Sequence, residues 1–318
     1  MRLQNSTIKD LQEELTKGYP EAKDFYFNFT KTFEDNELLE LKVSRLLDEH
    51  DDFELFIYCT DLLALYSIYR GIYLISVQED EINSALEFTR ACDYGYMTIH
   101  ITSLLCFADY DYSWEGKPKI EMDRVSALWG ASFLVNDLNK ADEIGIDLIN
   151  SLNAEGCIVG RGMKDAHLAW FMVKLFSLAT EKKIDERKPI YPEKDSDYKF
   201  YERVLADWDN LNINTVDKLI SILCEQHLIT VSPMLSDYDA YPKPFLRLLP
   251  FEVIMLLKLR KRNGLKNPKK FTHELMNTPV MQLFLNEKNI YPESVELPFA
   301  KELLVKLESK YPNMRNIE

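Results

Sequence analysis

The chain has 318 residues, 46 % of them hydrophobic and 28 % charged, which is enough to close a large apolar core without disulfide or metal staples. Its net charge of −14 is uneven: residues 1–159 carry 30 acidic and 13 basic side chains, net −17, and residues 160–318 carry 22 and 25, net +3. A field of that sign repels nucleic acid and attracts basic proteins, so nucleic-acid binding is not the expected function.

The five cysteines, Cys59, Cys92, Cys106, Cys157 and Cys224, are odd in number, sit in mostly apolar stretches and form no C-x-x-C pair. They read as buried thiols of a reducing compartment. The opening MRLQNSTIKDLQEEL has no apolar leader core, and the longest apolar run, 62–75, is broken by Arg70 and too short to span a bilayer. A cytoplasmic protein with no membrane attachment is expected.

In chain order, Thr7 can cap a first helix over 7–17, with Ile8, Leu11 and Leu15 on one face. Pro20 opens an aromatic-rich second helix, and apolar residues recur at helical spacing over 38–47. An acidic cluster follows, Asp48, Glu49, Asp51, Asp52 and Glu54 around His50, where the chain is most negative. Residues 53–77 and 79–107 read as two long helices forming an antiparallel hairpin. The stretch ADYDYSWEGKPK at 108–119 interrupts them with Asp109, Tyr110, Asp111, Tyr112, Trp114, Gly116 and Pro118. Aromatic and carboxylate side chains together suit a protein interface, in which rings anchor and charges steer; the same rings can equally fold back onto the nearest helix.

Helices resume at 121–135, 141–152 and 164–179. A charged, Pro-containing segment at 181–197 separates an acidic helical region, 1–180, from a C-terminal helical region, 198–318, the two expected to form one compact unit. Beyond it come helices at 198–208, 214–230, 250–264, 272–284 and 298–309. The helix at 250–264 is the most completely specified. Pro250 suits its start, Glu252 puts a negative charge in its first turn, and Lys258, Arg260, Lys261 and Arg262 crowd its end. Gly264 stands where a left-handed residue is wanted, and the apolar residues between leave almost no polar face. No sustained strand alternation occurs, so the expected fold class is all-α, a multi-helix globular bundle of antiparallel helical hairpins.

Catalytic patterns are missing. Gly160-Arg161-Gly162 has no strand before it, no phosphate-binding loop is present, and His273-Glu274 lacks the second histidine of a zinc helix because Asn277 stands there. Cys224 and His227, three apart on an apolar face, read as core rather than nucleophile and base. No catalytic residue, metal or cofactor is expected.

The stretch LLPFEVIMLLKLRKRNGLKNP, followed by HELMNTPVMQL, resembles the C-terminal signature of helical immunity proteins from bacterial polymorphic toxin systems. It is most similar to the immunity protein 49 family, and secondarily to the immunity family for PoNe-type nuclease toxins. The Tyr-Pro-Asp-Leu-like ending of the second family has no counterpart here, where Asn277-Thr278-Pro279 stands. The resemblance spans 60 to 90 residues at most and implies a non-enzymatic protein that binds a cognate, basic toxin and blocks its active site. On that implication Asp48, Glu49, Asp51, Asp52, Glu54, Asp109 and Asp111 would steer or pair, with Tyr110, Tyr112 and Trp114 as anchors. The signature residues Pro250, Glu252, Arg260, Gly264 and His273 would have a structural role, with Glu252, Arg260 and His273 expected to form a buried polar clasp. A helical adaptor for another basic protein or peptide is the alternative.

Overall fold

The computed structural model describes residues 53–107, 120–154, 158–159, 167–185, 196–230 and 243–286, with isolated positions near the two ends. These residues form helices α1 (Phe53–Val77), α2 (Glu81–Phe107), α3 (Met122–Leu134), α4 (Leu138–Asn153), α5 (His167–Thr180), α6 (Ser196–Leu205), α7 (Ile213–Thr230), α8 (Phe251–Arg262) and α9 (Pro279–Leu285). Short 3-10 helices at Lys243–Leu248 and Glu274–Asn277 precede α8 and α9, and the two-residue strands Ile120–Glu121 and Ile158–Val159 pair in parallel. The all-α reading holds, and no helix among the described residues is long and apolar enough to cross a membrane.

The hairpin of α1 and α2 forms because the chain supplies both a reversal and a close contact. Glu79 takes a left-handed φ of 54°, and Asp80 accepts hydrogen bonds from the backbone and side chain of Asn83, which hold its carboxyl below the usual carboxylate range. Cross-links run in antiparallel register: Ser84 donates to the Gly71 carbonyl at 2.8 Å, and Thr98 donates to the Thr60 hydroxyl at the same distance. The reversal between α3 and α4 is just as local. Asn136 adopts a φ of 61°, Asp137 caps α4 through the Lys140 N–H, and the Trp129 indole donates to the Ala141 carbonyl.

Helix α8 is the innermost helix. Phe251 to Leu257, Leu259 and Arg260 are buried, with α3, α5 and α7 packed around it. The core therefore runs from the acidic region into the C-terminal one. Gly130 on α3 makes the crossing possible, since a Cβ there would lie 2.2 Å from the Phe251 ring. Pro250 sits one position earlier than read from the sequence, as the residue before the first helical one, and its carbonyl accepts from Val253 and Ile254.

One helix reading is corrected. The single helix expected over 272–284 is two elements, because Pro279 disfavours the helical conformation at Thr278, whose ψ is 153°. Thr278 instead caps α9 through the Met281 N–H, and the preceding residues close a 3-10 turn. The helices read at 7–17 and 298–309 lie mostly outside the described residues, and the one opened by Pro20 and the one at 38–47 wholly so.

Gly95 is the tightest test of this packing, because a Cβ there would lie 2.7 Å from the backbone carbonyl oxygen of Leu128 on α3. Alanine normally favours a helix by about 1 kcal/mol over glycine. Here Gly95→Ala is expected to destabilise by about 1 to 3 kcal/mol, since backbone must move to admit the methyl. Urea midpoints read the sign, and an unchanged or higher midpoint would contradict the α2–α3 contact.

Candidate functional site

The signature residues are drawn to three separate places rather than into one clasp. Glu252, in the first turn of α8, is fully buried, and its Oε1 lies 3.0 Å from Nδ1 of His227 on α7, which is itself 1 % exposed. The other ring nitrogen, Nε2, is 2.9 Å from the Leu246 carbonyl. A carbonyl only accepts, so Nε2 carries a proton and the second proton is shared between Nδ1 and Glu252. Burial opposes the imidazolium, but the charge and hydrogen bond of Glu252 and the Leu246 carbonyl together raise His227 above the ordinary histidine value. This node ties α7, α8 and the 3-10 turn before α8 together.

Arg260 closes the far end of α8. Its guanidinium, with the residue 0 % exposed, donates to the carbonyls of Trp208, Asn210 and Lys266 and to the side chain of Asn267. The helix ends in a Schellman motif: Leu265 donates to the Arg260 carbonyl, Gly264 donates to that of Lys261, and Gly264 has a φ of 72°. The arginine's head thus holds the chain leaving α8 while its own carbonyl holds the turn. His273 takes no part in either arrangement. Its Nδ1 accepts from the Leu275 N–H at 3.2 Å, capping the 3-10 helix, and its Nε2 faces Glu225 at 3.7 Å. Accepting at Nδ1 requires a neutral ring, and burial likewise holds this histidine below its usual value.

A second assembly, buried at Asp93 and at Ser103 and Ser151 and partly open between, joins α2 to α4. Lys140 bonds to Asp93, the Tyr96 hydroxyl donates to Glu143 at 2.5 Å, His100 Nδ1 meets Asp147 at 2.7 Å, and Ser103 meets Ser151 at 3.1 Å. The partners are 47, 47, 47 and 48 residues apart, the constant offset of two parallel helices. The Tyr96 and His100 rings stack at 5.0 Å. Burial and the bond to Glu143 push the Tyr96 phenol up, while Asp147 outweighs burial at His100 and raises that histidine. The sequence did carry a trace of this ladder, in polar residues recurring every three or four positions along α2 and again along α4. Which pairs with which depends on helix direction, and that is a property of the fold.

The toxin-facing candidates Asp48, Glu49, Asp51, Asp52, Asp109, Tyr110, Asp111, Tyr112 and Trp114 lie outside the described residues. Glu54 is within α1. Cys92, Cys106 and Cys224 are buried and outside any disulfide, and burial pushes Cys224 well above its usual range, the opposite of a nucleophile. No three His, Cys, Asp or Glu side chains among the described residues are grouped to hold a metal ion. No protein-family model, curated protein or solved structure matches the chain.

Two outcomes follow for stability. Arg260→Ala leaves three carbonyls and Asn267 without their charged donor, so a loss of about 3 to 5 kcal/mol is expected in denaturant unfolding. A loss under about 1 kcal/mol would mean an exposed side chain. For pH, a histidine raised in the folded state contributes stability that is complete below its unfolded value of about 6.5 and is lost as pH rises through the folded value. Unfolding free energy should therefore fall with rising pH over that window, and less steeply in His227→Gln; an identical slope in the variant would remove the pair from the account.

Proposed function

We propose that the chain is a non-catalytic immunity protein that binds a basic cognate toxin in the cytoplasm and blocks its active site. The observation that carries this reading is the division of charge, net −17 over residues 1–159 against +3 over residues 160–318, joined to a C-terminal signature that resembles immunity protein 49. Net charge speaks to association and not to fold, and an acidic face raises the encounter rate with a basic partner. For a nuclease toxin the carboxylates would stand in for phosphates, accepting the charge-assisted hydrogen bonds that its groove offers to DNA or RNA.

The chemistry of the described residues is compatible with a binding role. The polar side chains of the C-terminal signature are spent on packing: Glu252 on His227, Arg260 on chain carbonyls, His273 on a cap. The label and the contact surface are then different parts of the molecule. The partner would meet the acidic region, with Asp51, Asp52 and their neighbours steering it and the rings of 110–114 anchoring it.

Titration against a toxin-like protein encoded directly beside this chain tests the reading. Co-expression should rescue cells from that neighbour. Asp51→Lys with Asp52→Lys should weaken binding by roughly tenfold or more and flatten its dependence on salt. Full affinity and an unchanged salt slope in the double variant would take this patch out of the interface, and absence of rescue would sink the immunity reading in favour of an adaptor.

A further inference from the structure

Between residues 46 and 116 the sequence holds 14 acidic side chains and two basic ones, Arg70 and Arg90. The fold brings these two together. Arg70 on α1 and Arg90 on α2 both reach Oε1 of Glu87, at 3.5 and 2.7 Å, and the Glu87 side chain is 5 % exposed. Burial raises the Glu87 carboxyl and both arginines oppose that shift.

Arg90 holds the buried carboxylate at hydrogen-bond distance, and Arg70 adds a second, longer contact to the same oxygen. Its presence on the same oxygen sets two cations side by side and leaves the trio at net +1. Both arginines are also partly open, with side chains 43 % and 37 % exposed, and Glu87 uses only one nitrogen of each. The remaining N–H groups are left for another acceptor, and a guanidinium presents its donors as a fixed fork that binds a planar oxyanion in bidentate fashion. Tyr66 and Tyr73 stand one helical turn either side of Arg70, and Tyr94 one turn beyond Arg90, all half-buried. Tyrosine and arginine are the residues that concentrate binding energy at protein interfaces.

We propose that Arg70 and Arg90 form a carboxylate-recognition site, taking an exposed Asp or Glu side chain from a partner protein. Charge favours a carboxylate over a phosphate. A monoanion brings the trio to neutrality, whereas a phosphate dianion would leave it negative inside an already acidic field. This site does not depend on the partner being a toxin.

The test uses the full chain with arginine side chains labelled with nitrogen-15, followed by NMR. The probe is a capped Leu-Glu-Leu tripeptide, with the Leu-Gln-Leu peptide and inorganic phosphate as the other arms. The Nε–H signals of Arg70 and Arg90 should move saturably with the glutamate peptide, at roughly millimolar half-saturation, and stay still with the glutamine peptide. Arg70→Gln keeps the hydrogen bond from Arg90 to Glu87, so the variant should still fold while weakening the peptide about tenfold. Three results would each overturn the assignment: phosphate binding more tightly than the glutamate peptide, equal shifts with both peptides, or unchanged affinity in the folded Arg70→Gln variant.

Discussion

The guanidinium of Arg260 and the three carbonyls it holds set the constraint on which the C-terminal half depends. Helix α8 is buried from Phe251 to Leu257 and at Leu259 and Arg260 but reaches the surface at Lys261 and Arg262, so its last carbonyls lie where the core gives way to solvent. The solution is internal: a left-handed glycine turns the backbone carbonyls of Arg260 and Lys261 toward the following N–H groups. The arginine side chain then gathers carbonyls from the turn after α6 and from the segment that follows α8. A buried cation is ordinarily costly, and here several oriented carbonyl dipoles supply negative potential at hydrogen-bond distance while the charge of Asp209 adds to it. The arrangement ties three separate stretches of chain to one side chain, which is why α8 can be both the innermost helix and the start of an exposed turn.

The other buried charges follow the same logic with different partners. Glu252 is balanced by His227, Glu87 by two arginines, and Asp93 by Lys140. Each pair joins two different helices, except the i, i+3 contact of Glu87 with Arg90. Such pairs add little net stability relative to apolar packing, yet breaking one leaves a stranded charge. Their effect is on register: Tyr96, His100 and Ser103 can meet Glu143, Asp147 and Ser151 together at only one axial offset of α2 against α4. The apolar contacts of the two helices would tolerate a slide that these bonds do not.

What was legible in the sequence was local. The bounds of α1, α2 and α7 fall within about two residues of those read from periodicity and turn chemistry, because caps such as Asp80 and reversals such as Gly264 act within a few residues. The break at Pro279 was local too. It was overridden by an apolar pattern that continues through Thr278, a case in which side-chain periodicity and backbone restriction conflict and the backbone prevails. The partners were not legible. Glu252, Arg260 and His273 share a motif, and proximity in a motif suggested a single cluster. Their true partners lie elsewhere: His227 is 25 residues from Glu252, and Trp208 and Asn210 are 52 and 50 residues from Arg260. Residue type announced that each needed a partner, and only packing could name it.

The two readings of the surface bear on one another through charge. An acidic face attracts a basic partner from a distance but does not orient it, since a broad field of one sign is nearly indifferent to rotation. Orientation needs a point of opposite sign. The arginine pair is such a point, set among 14 carboxylates along the chain from 46 to 116 and fixed to the α1–α2 contact, the most extensive helix contact among the described residues. A partner that is basic overall but carries one well-placed carboxylate would be drawn in by the field and turned by the forks. A partner lacking that carboxylate would meet two cations it cannot satisfy. Steering by the acidic field and selection by the arginine pair would then reside in different side chains.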